Sequence, residues 1–171
     1  MTTDWRTTRG EIPGIGQRTF LVDVARAVSD TFPTPTIVNI GVRRGASLHC
    51  LRAGAPNAVL VGIDIQFPNP IGKDDLDATF IHGNSNTVHD QVEPPVHLVF
   101  IDGGHGYGTC KGDVEAWVPK IPLGGIVSFH DMHMGGVITA FNEWWRAEYT
   151  NWEEVEGSPC PGLRAFRRTQ E

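Results

Sequence analysis

TIVNIGVRRGAS at residues 36–47, with the VLVGIDI that follows at residues 59–65, decides how this chain folds. The first run is apolar and ends in a glycine turn, Gly41-x-x-x-Gly45, with a helix start behind it. The second is apolar and ends in a carboxylate, Asp64. An open α/β sheet builds a nucleoside pocket in this way. Glycine lets the backbone approach a ligand, the helix N-terminus offers unpaired N–H groups, and an acid about twenty residues on reaches the ribose hydroxyls. The turn lacks the middle glycine of G-x-G-x-x-G, which speaks against a dinucleotide pyrophosphate. The plainer alternatives are a turn that needs glycine for packing alone, and an acid that caps the next loop.

Outward from that stretch the chain alternates helix and strand. Apolar positions Phe20, Leu21, Val24, Ala25 and Val28 recur at helical spacing, so 17–30 reads as an amphipathic helix stopped by Pro33 and Pro35. Strands are expected at 36–40, 59–65, 79–82, 96–101 and 126–129, with two short ones at 153–155 and 163–166. Helices are expected at 46–53, 87–91, 111–118 and 137–149. Residues 1–16 read as an irregular arm and 66–75, QFPNPIGKDD, as a surface loop. This alternation gives an α/β fold, a doubly wound Rossmann-like sheet with helices on both faces. Right-handed crossovers bring the polar strand ends to one edge.

Five segments meet at that edge: Asn39 to Gly45, Asp64, Gly83 to Ser85, Asp102 to His105, and His130 to His133. Asn84 and Ser85 suit an adenine edge, and are also ordinary turn and helix-cap residues. Two carboxylates and several imidazoles gather at the last two segments. A divalent ion would be held by Asp102 and Asp131, with His130 or His133 completing its shell. Equally, His105 or His130 would serve as a general base, since imidazole titrates near neutrality. The bland alternative is hydrogen bonding to loop backbone. Trp144 and Trp145 are read mainly as core, with one of the pair left over for the substrate mouth.

The 171 residues are read as a single domain, 40% hydrophobic and 20% charged, with net charge −6. Such a charge argues against a nucleic-acid partner, which would need cations on phosphates. Three scattered cysteines without a C-x-x-C pair fit a reducing compartment and exclude a cysteine zinc site. With no signal-like or membrane-length run, the expected location is the cytoplasm. Walker and G-x-S-x-G motifs are absent from the sequence.

IVNIGVRRGASLHCL, VGIDI, FIHGNS, LVFIDGGHGYGTCKGDVEAWVPKIPLGGIVSFHDM and GLRAFRR together resemble the class I S-adenosylmethionine-dependent methyltransferases, in particular methyltransferase family 24. The resemblance runs from about residue 17 to 168 and implies a seven-stranded, mostly parallel sheet with an antiparallel last strand. S-adenosylmethionine would lie along its carboxyl edge. By position, Asn39, Gly41 and Gly45 would line the methionine part, Asp64 would hold the ribose hydroxyls, and Gly83, Asn84 and Ser85 would surround the adenine. Asp102 would lie beneath the sulfonium, His105 and Tyr107 would flank the pocket, and Ser47, Ile65 and Gly103 would also contact the cofactor.

The resemblance also implies O-methylation of a small-molecule or sugar hydroxyl, with His105, His130 and Asp131 as catalytic residues. Metal-dependent relatives hold Mg2+ at positions matching Asp102, His130 and Asp131. His130 stands where those relatives carry an acid or amide, and Asn39 where the family has Glu or Asp. The loss of that ionic contact predicts weaker cofactor affinity. Acceptor contacts are expected from the arm near 12–15, the loop 67–74 and the segment after Asp131. Two rival functions remain, a nicotinamide-dependent oxidoreductase and a non-catalytic S-adenosylmethionine-binding module. Homo-oligomerisation is left open.

Overall fold

The computed structural model describes residues 4–8, 12, 14–66, 74, 76–158 and 161–170. The chain runs α1 (Ile15–Thr31), β1 (Thr36–Ile40), α2 (Ala46–Gly54), β2 (Val59–Asp64), β3 (Ala78–His82), α3 (Ser85–Val88) and β4 (Leu98–Ile101). It continues through α4 (Tyr107–Trp117), β5 (Ile126–Phe129), α5 (Gly135–Glu148), β6 (Trp152–Glu154) and β7 (Arg164–Arg168). These strands form a seven-stranded sheet ordered β3-β2-β1-β4-β5-β7-β6. The five strands β1 to β5 are parallel, and β7 runs antiparallel to both β5 and β6. This is the doubly wound architecture expected from the sequence.

The central strands are nearly all Val, Ile, Leu and Phe because both their faces are covered. Alternation along β1 sends Ile37 into a core with Phe20 and Leu21 of α1 and Leu48 and Leu51 of α2. Val38 and Ile40 face the opposite core, with Val114 and Trp117 of α4 and Phe141 and Trp144 of α5. Burying each such side chain contributes roughly 1.5–3 kcal/mol. The order reverses between β1 and β4, and it is there that a crevice opens at the carboxyl ends of open α/β sheets.

Several local expectations shift. α4 begins at Tyr107 rather than 111, because Tyr107 and Lys111 are anchored together on Glu143 of α5, a contact no local pattern reveals. The expected helix at 87–91 is instead the single turn α3, capped by the Asn84 side chain on Asn86 N–H, followed by a 3₁₀ turn. Trp145 packs over the core, stacked on Phe141 with ring centroids 5.8 Å apart, which leaves neither tryptophan for a mouth. Residues 67–73 and 75 of the expected surface loop, and Cys160, lie outside the described residues. Cys50 and Cys110 are buried free thiols, pushed by desolvation to about 12 and about 11, so neither is a nucleophile. Among the described residues no helix is long and apolar enough to cross a membrane.

Arg18 ties the N-terminal arm down. Its guanidinium donates to the carbonyls of Trp5 (2.6 Å), Thr8 (2.7 Å) and Ile12 (3.2 Å), and this places Ile12 against the turn from Gly41 to Ser47.

Candidate active site

The turn after β1 is built from left-handed backbone. Gly41 and Gly45 have φ of 84° and 82°, and Arg43 between them has φ 42°. Gly45 then caps α2. Asp64, at the end of β2, holds this turn in place. Its Oδ2 accepts the N–H groups of Val42 and Arg43, both at 2.9 Å, and its Oδ1 accepts that of Gln66 at 2.8 Å. The acid is therefore first a clamp on the loop, and one lone pair of Oδ1 is left for a ligand.

A cavity of about 410 Å³ lies against this clamp, a size that suits a nucleoside-sized ligand. Its walls are Ile40, Gly41, Arg43, Ile63 to Gln66, Gly83 to Ser85, Asp102 to Gly104 and Thr109. Ile65 is exposed there, an apolar surface available to a flat base. Ser85 is pinned from behind: its hydroxyl donates to Asp113 Oδ1 at 2.5 Å, and its carbonyl accepts from Trp117 Nε1 at 3.1 Å. Asp113 is fully buried, and desolvation pushes its carboxyl up to about 6 despite the Ser85 bond.

At the ends of β4 and β5 the ionisable groups converge. His105 Nε2 lies 2.8 Å from Asp131 Oδ2. His130 Nδ1 lies 2.9 Å from Asp102 Oδ1 and 3.2 Å from Asp131 Oδ2, and its Nε2 is 3.3 Å from Gln17 Oε1 of α1. Burial pushes the Asp102 carboxyl up, with His130 pulling against it. Burial works to lower the His130 imidazole, but the hydrogen bond and charge of Asp102, joined by Asp131, carry it upward. Asp131 itself adopts φ 54°, a left-handed conformation that a non-glycine residue keeps only when its surroundings impose it.

Ligand atoms of Asp102, His105 and Asp131 lie within 4.8 Å of one another. His105 thus joins Asp102 and Asp131 at this cluster, and His130, named with those two acids in the set expected from the sequence, lies against both of them as well. His130 sits one residue earlier, at the strand end, and both its nitrogens are engaged by Asp102, Asp131 and Gln17. His133 reaches only 3.9 Å from Asp131.

Of the residues expected to bind a cofactor, Gly41, Asp64, Ile65, Gly83, Asn84, Ser85, Asp102 and Gly103 share the cavity. Gly45 and Ser47 line a small crevice beside it, with Gly41 and Asp102. Asn39 is fully buried beneath the turn, its amide donating to Gly41 O at 3.0 Å and its Oδ1 without a partner. Tyr107 departs from the expectation. Its hydroxyl donates to Glu143 at 2.6 Å on the outer surface, and Thr109 takes its place in the cavity wall. Sequence reasoning missed Gln66, Thr109, Gln17 and Asp113. Only Asp113 carried a signal, as a lone acid on the apolar side of a helix.

A family model described as a methyltransferase domain matches residues 38–132, more than half of the chain. No curated protein sequence matches. Among solved structures, the O-methyltransferase NovP superposes with a TM-score of 0.72 at 16% identity, covering 92% of this chain and 81% of that one. CalS11, a TDP-rhamnose 3′-O-methyltransferase of calicheamicin biosynthesis, gives 0.65 at 20% identity, covering 88% and 78%. The MycE methyltransferase of the mycinamycin pathway, solved with Mg and SAH, gives 0.65 at 15% identity, covering 90% of this chain but 55% of that one. At these identities the likeness is one of fold.

Proposed function

Since the chain belongs to the methyltransferase-domain family matched over residues 38–132, we propose that it binds S-adenosylmethionine in the 410 Å³ cavity and methylates the hydroxyl of a small molecule or sugar. The observation that carries this reading is the cavity's position. It lies where the strand order reverses, between a glycine turn and an acid, and one of its walls, Asp102, belongs to the Asp102–His105–Asp131 cluster. The sugar and O-methyl parts of the reading draw on the activities named for NovP and CalS11.

S-adenosylmethionine supplies a methyl group on a positively charged sulfur, which departs as a neutral thioether. The chain's own residues hold and align. Gly41 brings its backbone close without a side chain, the remaining Oδ1 lone pair of Asp64 receives a ribose hydroxyl, and Gly83 to Ser85 with Ile65 face the base. Asp102 sets a carboxylate against the positive centre. His105 takes the acceptor's proton: its side chain is 45% exposed and Asp131 orients its ring, whereas His130 is 7% exposed with both nitrogens engaged. His130 instead links Asp102 to Asp131, which gives it a positioning role.

The Asp102, His105 and Asp131 donors, two oxygens and a nitrogen, fit a divalent cation. Bound there, Mg2+ or a similar ion would lower the pKa of the acceptor hydroxyl and orient it, and His105 would then be a ligand rather than the base.

Calorimetric titration with S-adenosylhomocysteine and NAD tests the cofactor. Binding of the first and not the second is expected, and the reverse would make the protein an oxidoreductase. Methyl transfer to a panel of hydroxyl acceptors, with chelator and with added cations, tests the reaction. Binding without transfer anywhere on the panel would mark a non-catalytic module.

A further inference from the structure

Asp113 is a fully buried acid with no part in the roles above. Its Oδ1 takes the Ser85 hydroxyl at 2.5 Å, and its Oδ2 is buried without a hydrogen-bond partner. Leaving a carboxylate oxygen unpaired in the interior is costly, and an apolar side chain would fill the same space more cheaply. What the acid does that an apolar residue cannot is dictate the direction of one hydrogen bond.

A carboxylate that is ionised at neutral pH offers only lone pairs, so Ser85 must donate to it. Serine has one hydroxyl proton. With that proton turned inward, Oγ has nothing but lone pairs left for the cavity that Ser85 lines. Trp117 holds the Ser85 carbonyl at the same time, so the residue cannot turn to offer a different group. The neighbouring Asn84 spends its side-chain carbonyl on Asn86 N–H and keeps only its amide N–H groups, so Ser85 Oγ is the acceptor of this pair of side chains.

We infer that Asp113 is a positioning residue that fixes Ser85 as a hydrogen-bond acceptor, so that this wall selects a purine with a 6-amino group over one with a 6-oxo group. The inference rests on the cofactor reading given above, and adds to it which feature of the base is read and how. An amino group donates to Ser85 Oγ, whereas a carbonyl there faces lone pairs with lone pairs.

The test titrates the full chain with S-adenosylhomocysteine and with S-inosylhomocysteine, whose base has a 6-oxo group and a proton on N1 in place of the 6-amino group and bare N1; the Ser85→Ala ratio separates the part read at position 6. The unaltered protein is expected to favour the adenosyl compound by about tenfold or more, the range for a site built around a buried hydrogen bond. In Asp113→Asn the amide can donate to Oγ and free the hydroxyl proton, and the preference is expected to fall to within about threefold of unity. Ser85→Ala should lose the preference likewise, and adding Asp113→Asn to it should change the ratio no further. Thermal unfolding confirms that each variant is folded, and if Asp113→Asn is not, the Ser85→Ala ratio decides. A variant that weakens both ligands by the same factor, or an unaltered protein that binds both equally, overturns the inference while leaving the cofactor reading in place. A protein that binds neither overturns the cofactor reading, and this inference with it.

Discussion

The backbones of Gly41 and Asp102 touch: a Cβ built on Gly41 would lie 2.0 Å from the Asp102 carbonyl oxygen and 2.7 Å from its carbonyl carbon. β1 and β4 are neighbours at the reversal of strand order, and Asp102 N–H donates back to Ile40 O at 3.0 Å, so the two strand ends are locked together where the cavity begins. Backbone, unlike a flexible side chain, cannot yield. Gly41→Ala therefore adds a clash to the cost of a φ of 84°. It is expected to lower the unfolding free energy by at least about 2 kcal/mol, and to abolish S-adenosylhomocysteine binding in whatever remains folded. Chemical denaturation and calorimetry check the two effects separately.

Asp64→Ala should affect folding and binding together. The acid accepts three backbone N–H groups, and that of Val42 is buried. Removing the acceptor strands those donors, a loss of about 2–3 kcal/mol, and slackens the turn that shapes the cavity. A carboxylate that served the ribose alone would cost affinity and leave the unfolding midpoint unchanged. Measuring both in one preparation separates the roles.

Much of this was legible because the signals were local. β1, β2 and β5 follow short, mostly apolar runs and α2 opens at Gly45 and closes at Gly54, and the polar tips of the strands had to share an edge once right-handed crossovers were assumed. Gly41, Asp64, Ser85 and Asp102 were found on that basis. What escaped depends on contacts far apart in sequence. Tyr107 turns away from the cavity because Glu143, 36 residues on, takes its hydroxyl. His130 is met on its far side by Gln17, 113 residues earlier, whose Oε1 lies 3.3 Å from its Nε2. No window of sequence contains either partner.

Asp113 should leave a mark on the pH dependence of stability. Its ordinary value is 3.8, and burial raises it to about 6 in the folded chain. Between those values the folded state holds the proton more tightly than the unfolded chain, so stability from this group is highest below about pH 4 and declines as pH rises through 6. The difference at pH 7 is on the order of 3 kcal/mol. Asp113→Asn removes this dependence. Its stability relative to the parent should therefore improve from pH 4 to pH 7, as read by denaturant titrations across that range. A constant difference would show that the carboxyl titrates normally.

Arg18→Ala should release the N-terminal arm. Three carbonyls, on Trp5, Thr8 and Ile12, depend on its guanidinium, and a lysine cannot span them because its three donors radiate from one atom. Arg18→Ala and Arg18→Lys are both expected to cost about 2–4 kcal/mol and to expose the arm to limited proteolysis. An arm as resistant as the parent's would show that Ile12 is held by its own packing.

Gly136→Ala should damage transfer more than cofactor binding. Gly136 is the second residue of α5, and a Cβ there would lie 2.3 Å from His105 O and 2.7 Å from Tyr107 N. The helix start is thus the buttress for the loop that carries His105, and pushing that loop away lengthens the 2.8 Å contact between His105 and Asp131. Displacing a proton-accepting group by about an ångström can lower the rate by about a hundredfold, while the Asp64 and Ser85 walls are built from other elements. The transfer rate is expected to fall on that scale, with S-adenosylhomocysteine affinity changing by less than about tenfold. Gly135→Ala is the control, since nothing lies within 4 Å of its Cβ. If both variants transfer methyl groups at the parent rate, then the His105 loop is not held by α5, and the case for His105 as the proton acceptor loses its geometric support.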